Sequence, residues 1–291
     1  MKKLFVVLFV MATGILSVNA QDAATTATGP IMSKRGYPIL PQGGDWSVSF
    51  DAIPVLKFAG NAFSNAGTNT ISSAFPYTNT ITVRKFIDDN TAYRGMVRFD
   101  LGTTTTKANV RDDAAFAADP ATTETVEDKR VSKNSNIQIG AGIEKRKGMS
   151  RVQGIYGAMA MIGYGRGSSG GSNKYTYGNA LGTTNQSPTT SNFSGGSSNP
   201  LSRVTEDKTS AGFSIGVVGF IGAEYFIAPK LSLGAEFQWG PTFSKDGDSE
   251  STSEEWDGAR GVIKTTTTTT AGGSSFGFNT GVTSINLNFF F

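Results

Sequence analysis

The sequence predicts an all-β chain, an eight-stranded antiparallel up-and-down transmembrane β-barrel, on three observations. Eight segments alternate apolar with polar or small residues at the two-residue period of a strand. The connections between them alternate short and long without exception. Only 38% of the 291 residues are hydrophobic, low for a chain that must fill its own core, yet 11% are aromatic and only 17% charged. A barrel that turns its apolar face to lipid and its polar face inward reconciles these numbers, because each crossing needs only about 9–11 alternating residues.

The first element is not part of the barrel. Residues 1–20 read MKKLFVVLFVMATGILSVNA: Lys2 and Lys3 precede an apolar stretch from Leu4 to Leu16, and Val18-Asn19-Ala20 offers small residues for cleavage. This is the pattern of a secretory signal peptide cut before Gln21, and the apolar run is too short to span about 30 Å of hydrocarbon. Its two lysines leave with it, so 24 Lys and Arg face 23 Asp and Glu, and the charge balance gives no reason to expect nucleic acid as a partner. Residues 21–44, with Pro30, Pro38 and Pro41, read as a short periplasmic arm before a barrel at 45–291.

The first strand runs from Trp46 to Phe58, with Trp46, Val48, Phe50, Ala52, Leu56 and Phe58 on one face and Pro54 as a weak point in the ladder. A hairpin follows. Ile81, Val83 and Ile87 turn at Asp88-Asp89-Asn90-Thr91 into Tyr93, Gly95, Val97, Phe99 and Leu101. The next pair places Ile137, Ile139, Ala141 and Ile143 outside and turns at Lys147-Gly148-Met149 into Val152, Tyr156, Ala158, Ile162 and Tyr164. A third hairpin turns at Ala228-Pro229-Lys230 between Phe213–Tyr225 and Leu231–Trp239. The last strand carries Phe276 and Phe278 early and Ile285, Leu287, Phe289 and Phe291 late. Long connections fall near 60–77, 104–133, 166–208 and 245–273, rich in Ser, Thr, Gly and Asn, and this composition predicts flexible loops.

The terminal run Ser284-Ile285-Asn286-Leu287-Asn288-Phe289-Phe290-Phe291 resembles the C-terminal strand of bacterial outer-membrane barrels. With the signal peptide, strand count and loop asymmetry, the chain resembles the small barrels of the OmpA/OmpX type, and the Val-Asn-Ala-Gln cleavage context is similar to that of Bacteroidetes secreted proteins. The resemblance implies a bacterial outer-membrane location, with short periplasmic turns and long extracellular loops. It implies an assembly signal at Leu287, Phe289 and Phe291, read by the barrel-assembly machinery, and contact with outer-membrane lipid and lipopolysaccharide. Outward aromatics near the strand ends, Trp46, Tyr93 and Tyr225 on one side and Tyr164 and Trp239 on the other, form the expected interfacial girdles.

Inward parity gathers Asp51, Lys57, Arg84, Arg94, Arg98, Asp100, Glu144, Arg151, Glu224 and Glu236 in the lumen. An eight-stranded barrel is just wide enough for side chains to fill, so these opposite charges are expected to pair as a plug. Enzymatic chemistry is not expected. With no His and no Cys the usual general base and thiolate are missing, and the inward carboxylates have Arg partners at hand. No cofactor is expected. Gly165-Arg166-Gly167-Ser168-Ser169-Gly170 fits a dinucleotide fingerprint but leads into more loop residues instead of a helix. Asp246, Asp248 and Glu250 open an acidic run that offers weak candidate metal ligands without EF-hand spacing.

The function expected is that of a structural, surface-binding scaffold displaying four long extracellular loops to a surface ligand or other outer-membrane proteins. Two alternatives stand beside it. One is an OmpW-like conduit for small hydrophobic molecules, using inward Met96, Ile155, Met159, Met161 and Val218. The other is an accessory subunit of a larger outer-membrane complex, docked through 21–44.

Overall fold

The computed structural model describes residues 31–52, 80–148, 150–166 and 171–291. The expected signal peptide, the start of the arm with Pro30, Pro54, Leu56, Lys57 and Phe58 of the first strand, the connection near 60–77, Met149 and the end of the glycine-rich motif lie outside these. The strands are β1 (Trp46–Asp51), β2 (Thr80–Asp88), β3 (Thr91–Arg111), β4 (Thr125–Lys147), β5 (Val152–Arg166), β6 (Ser172–Thr176) and β7 (Thr190–Ser191). They continue as β8 (Ser197–Ser198), β9 (Ser202–Thr209), β10 (Gly212–Ala228), β11 (Leu231–Lys245), β12 (Ser249–Asp257), β13 (Val262–Thr270) and β14 (Ser274–Phe290). The short helix α1 (Asp113–Ala118) caps the β3–β4 hairpin, with the Asp112 carboxylate accepting from Ala114 N and Ala115 N. No helix among the described residues is long and apolar enough to cross a membrane.

Eight strands close an antiparallel barrel in the order β1-β2-β3-β4-β5-β10-β11-β14, with β14 returning to β1. The alternation read from the sequence sets which face each residue takes. Val83, Val97, Ile139, Ile162 and Ile221 are exposed on the outside, while Thr82, Arg84, Arg94, Glu144, Glu224 and Glu236 are buried within. The three tight turns lie at one end. At the β10–β11 turn Pro229 is followed by Lys230 in the left-handed region (φ 63°).

Where they are described, the connections near 104–133, 171–208 and 245–273 are not the flexible loops that their composition suggests. β3 and β4 form one ladder of 21 pairs, from Thr91↔Lys145 to Arg111↔Thr125, about 70 Å long at strand rise and roughly twice what a membrane crossing needs. Above the barrel, β4 exchanges its neighbour β5 for β6, and the sheet continues as β3-β4-β6-β9-β12-β13. Each of these strands prolongs a barrel strand. β5 leads into β6, β9 into β10, β11 into β12 and β13 into β14, so the extension keeps the neighbour order of the wall beneath it. Thr265–Thr270, six threonines of good strand propensity within the connection expected near 245–273, are the body of β13, which pairs with β12 throughout.

Candidate functional site

The lumen is filled in layers, and the register fixes their order. At the end with the short turns, residues 31–45 fold back beneath the barrel. Ser33 N donates to Tyr37 O (2.8 Å) and Ile39 N to Ile31 O (2.9 Å), closing a small hairpin. Gly44 N donates to Phe86 O (3.0 Å), and Gly43 N to Asp89 Oδ1 (2.9 Å). These bonds hold Ile39, 2% exposed, against Phe86, Ala92, Phe226 and Phe290. Residues 31–45 therefore form a stopper against the barrel's own end, with Ile39 already covered by it.

Above it lies the charge network. Arg94 meets Glu236 with two bonds, Nη1 to Oε2 at 2.6 Å and Nη2 to Oε1 at 3.0 Å, the planar fork suited to a carboxylate. Its Nη1 also reaches Glu144 Oε2 at 3.3 Å. Glu144 Oε1 accepts from Arg84 Nη1 at 3.0 Å and from Arg146 Nε at 3.1 Å. Glu224 takes Arg146 Nη2 and, at 3.4 Å, Arg84 Nη2. All six side chains are at most 4% exposed, so each charge depends on its neighbours for compensation. Uncharged partners add to the set: Ser47 and Ser49 accept from Arg84, Asn288 and Ser232 donate to Glu224, and Gln238 donates to Glu236, while the buried Arg94 Nε and Arg146 Nη1 meet no acceptor. Aromatic rings sandwich the guanidiniums, with Arg94 4.3 Å from the centroid of Phe220 and Arg146 4.9 Å from that of Phe86. The cavity left among Ser49, Thr82, Arg84, Arg94 and Glu236 is about 10 Å³, room for no more than about one water.

Next comes an apolar layer. Met96, Met159, Met161 and Phe220 are buried against one another, with Val218 packed beside them, so the apolar residues of the conduit alternative fill the section themselves. Gly142 and Gly157 make this possible. A Cβ on Gly157 would stand 2.1 Å from Ile143 O and 2.6 Å from Phe220 Cζ. Above the layer the lumen widens into a vestibule of about 480 Å³, lined by Arg98, Asp100, Gln138 and Asp246 together with the apolar Ile137 and Phe213.

Of the residues expected in the lumen, Arg84, Arg94, Glu144, Glu224 and Glu236 form one connected cluster. Arg98 sits in the vestibule, bonded to Thr80 and Gln138, and Asp100 accepts from Asn134 Nδ2. Asp51 is half-buried at the upper end of β1. Arg151 departs from expectation. It stands in the β4–β5 turn, where no alternation applies, and donates to Ile227 O (3.2 Å) and Phe226 O (3.5 Å). The guanidinium that joins the network instead is Arg146, two residues beyond Glu144 on the same face. The girdle residues Trp46, Tyr93, Tyr164 and Tyr225 are exposed outside, and Trp239 lies half-buried against Phe237. Leu287 and Phe289 face outward beside β1, while Phe290 points in, and the terminal Phe291 is exposed. Asp248 Oδ1 accepts from Gly272 N at the junction of β11 and β12 with β13 and β14. Among the described residues no three acidic side chains converge as a metal-ligand set around Asp246, Asp248 or Glu250.

At the far end, the segment between β6 and β9 is pinned to the β3–β4 hairpin by buried polar groups. Asp128, fully buried, accepts from Gly178 N (2.9 Å) and Ser191 N (2.7 Å). Asp113 accepts from Thr189 N and Oγ1, both at 2.6 Å, and from Asn185 Nδ2 at 2.9 Å. Burial opposes ionisation of Asp113, but these bonds outweigh it and hold the carboxyl below its ordinary range. Tyr175 and Tyr177 stand ring to ring at 6.4 Å, with Phe193 against Tyr175 and Arg203 over Tyr177. Burial, against the opposing pull of Arg203, pushes the Tyr177 hydroxyl up to about 12.

Compared with models of protein families and with curated proteins, the chain matches none.

Proposed function

We propose that the chain is a non-enzymatic integral barrel of a bacterial outer membrane, delivered by a signal peptide at 1–20, with a lumen closed by its charge network. Its extracellular wall then serves as a surface-binding scaffold. The observation that carries this reading is the inverted polarity of the barrel. Ile139, Ile162 and Phe278 are 57%, 62% and 61% exposed on the outside, while Glu144 and Glu224 are at most 1% exposed within. In water that arrangement exposes apolar surface and buries charge at once; in lipid the outer face is solvated and the charges pair. The resemblance to OmpA/OmpX-type barrels agrees with it, and supplies lipopolysaccharide and the barrel-assembly machinery as expected partners. The rigid extension of the wall favours recognition of a surface ligand by a formed face rather than by mobile loops.

Two measurements test the proposal. In planar bilayers the reconstituted chain is expected to show no large sustained openings, and such openings would overturn the closed lumen. Deleting residues 172–205 removes β6, β7, β8 and the start of β9 while sparing all eight barrel strands. Assembly is expected to persist and binding to the cell's surface partners to be lost; unchanged binding would refute the scaffold role.

A further inference from the structure

Charge outside the lumen is unevenly distributed around the end that carries the short turns. The three acids there are engaged in local structure: Asp45 Oδ2 accepts from Gln42 N, Asp88 Oδ1 from Asn90 N and Asp89 Oδ1 from Gly43 N. All three lie on the β1–β2–β3 side. On that side Lys85 is also engaged locally, donating to Gly44 O beside Trp46; from the next strand onward, Lys145 and Lys147 end β4, Arg151 lies in the β4–β5 turn and Lys230 in the β10–β11 turn. All four are exposed, and no acid interrupts them. The two turns are tied together, since Phe226 N donates to Arg151 O (2.9 Å) and Arg151 Nη1 donates back to Ile227 O (3.2 Å).

Parity directs Lys145 and Lys147 outward, because Glu144 and Arg146 between and beside them point into the lumen. Lys145 stands opposite the outward Tyr156 in the β4–β5 register, and Tyr225 stands opposite Val152 on the next strand. Cations directly beside an aromatic belt occupy the depth of lipid phosphates. A second observation concerns Lys230. It holds a left-handed backbone (φ 63°), which glycine or asparagine adopts with less strain, so the turn keeps a cation at a conformational cost.

We propose that Lys145, Lys147, Arg151 and Lys230 form a docking surface for the phosphate headgroups of anionic phospholipid in the leaflet next to the short turns. The proposal rests on the membrane reading above. Each surface cation adjacent to an anionic leaflet is worth roughly a fivefold bias in local lipid occupancy.

The test uses the full chain reconstituted in nanodiscs of phosphatidylcholine mixed with phosphatidylglycerol, reading by mass spectrometry the lipids that stay bound after release. The parent is expected to retain phosphatidylglycerol preferentially, and added salt should weaken the preference. The triple variant K145Q/K147Q/K230Q is expected to lose that enrichment about tenfold or more, with its barrel intact by mobility on unheated gels. The control K174Q/K208Q/K264Q, altered at the other end, is expected to match the parent. Lys230→Gly alone should reduce the enrichment while raising the urea midpoint, separating charge from backbone strain. Equal enrichment in parent and triple variant, or equal loss in the control, would overturn the lipid surface while leaving the membrane reading intact. Failure of the parent to insert into either lipid would overturn both.

Discussion

Replacing Glu224 by Gln tests whether the lumen charges act as one unit. The cluster holds three guanidiniums (Arg84, Arg94, Arg146) and three carboxylates (Glu144, Glu224, Glu236), so it is balanced among these six. Gln at 224 leaves one cation in excess among side chains at most 4% exposed. An uncompensated buried charge of this kind costs about 3–5 kcal/mol. Arg146→Met has the opposite sign, an excess carboxylate, and a similar cost. In the double variant Arg84 and Arg94 again balance Glu144 and Glu236, and the Met side chain takes the place of the guanidinium among Phe86, Phe226 and Phe290. The double variant is therefore expected to be about 2 kcal/mol or more better than the sum of the singles, the range found for residues in one network. The assay is urea unfolding in lipid vesicles, followed by Trp fluorescence and by mobility on unheated gels. With a slope near 3 kcal/mol per molar urea, each single variant lowers the midpoint by about 1 M. Single effects under about 1 kcal/mol, or strict additivity, would refute the coupled network.

Four further variants, one of them read by titration, probe the other layers. Phe220→Ala empties the apolar layer and should cost about 3–5 kcal/mol, while Gly157→Ala drives a Cβ into Ile143 O and should cost at least about 1–3 kcal/mol in the same urea assay. Ile39→Ala should loosen the arm locally by about 2–5 kcal/mol; faster tryptic cleavage at Lys34 or Arg35 with an unchanged barrel midpoint is the expected result. Tyr177 has its hydroxyl pushed up to about 12, so the neutral form is the one that folding favours. Its contribution is full below the ordinary tyrosine range near 10 and fades as pH rises toward 12, which ultraviolet difference titration of the parent against Tyr177→Phe would detect.

The barrel was legible because its outer and inner faces impose opposite demands on successive residues. From Tyr93 to Leu101, outward Tyr, Gly, Val, Phe and Leu alternate with inward Arg, Met, Arg and Asp, and the structure keeps that parity throughout. The extension above the barrel carries no such signal, since water or polar contacts await both faces. Thr103–Thr106, Ser132–Ser135 and Thr265–Thr270 read as loop by composition, yet each lies within a strand. What orders them is the wall beneath. The barrel strands already hold their neighbours in register, so continuing the ladder adds backbone bonds without a new loop closure, and threonine suits a strand solvated on both sides.

Arg146 and Arg151 show where parity stops being informative. Alternation from Glu144 predicts that residue 146 faces inward, but its place in Lys145-Arg146-Lys147, beside a turn, reads as a solvated basic run. The structure follows the alternation: the two lysines go out and the arginine goes in. Arg151 fits the inward parity of Gln153 by counting back through the turn, where the strand geometry that gives the count its meaning no longer holds. Balance provides the stronger criterion. With Arg151 in the turn and Arg98 one layer higher, Arg84 and Arg94 alone would leave Glu144, Glu224 and Glu236 with one buried negative charge too many. A third cation on an adjacent inward position is then required by electrostatics, and Arg146 is the residue on the face of Glu144 that can supply it. Counting charge layer by layer, and not only face by face, therefore identifies the lumen network from the sequence of a barrel this narrow.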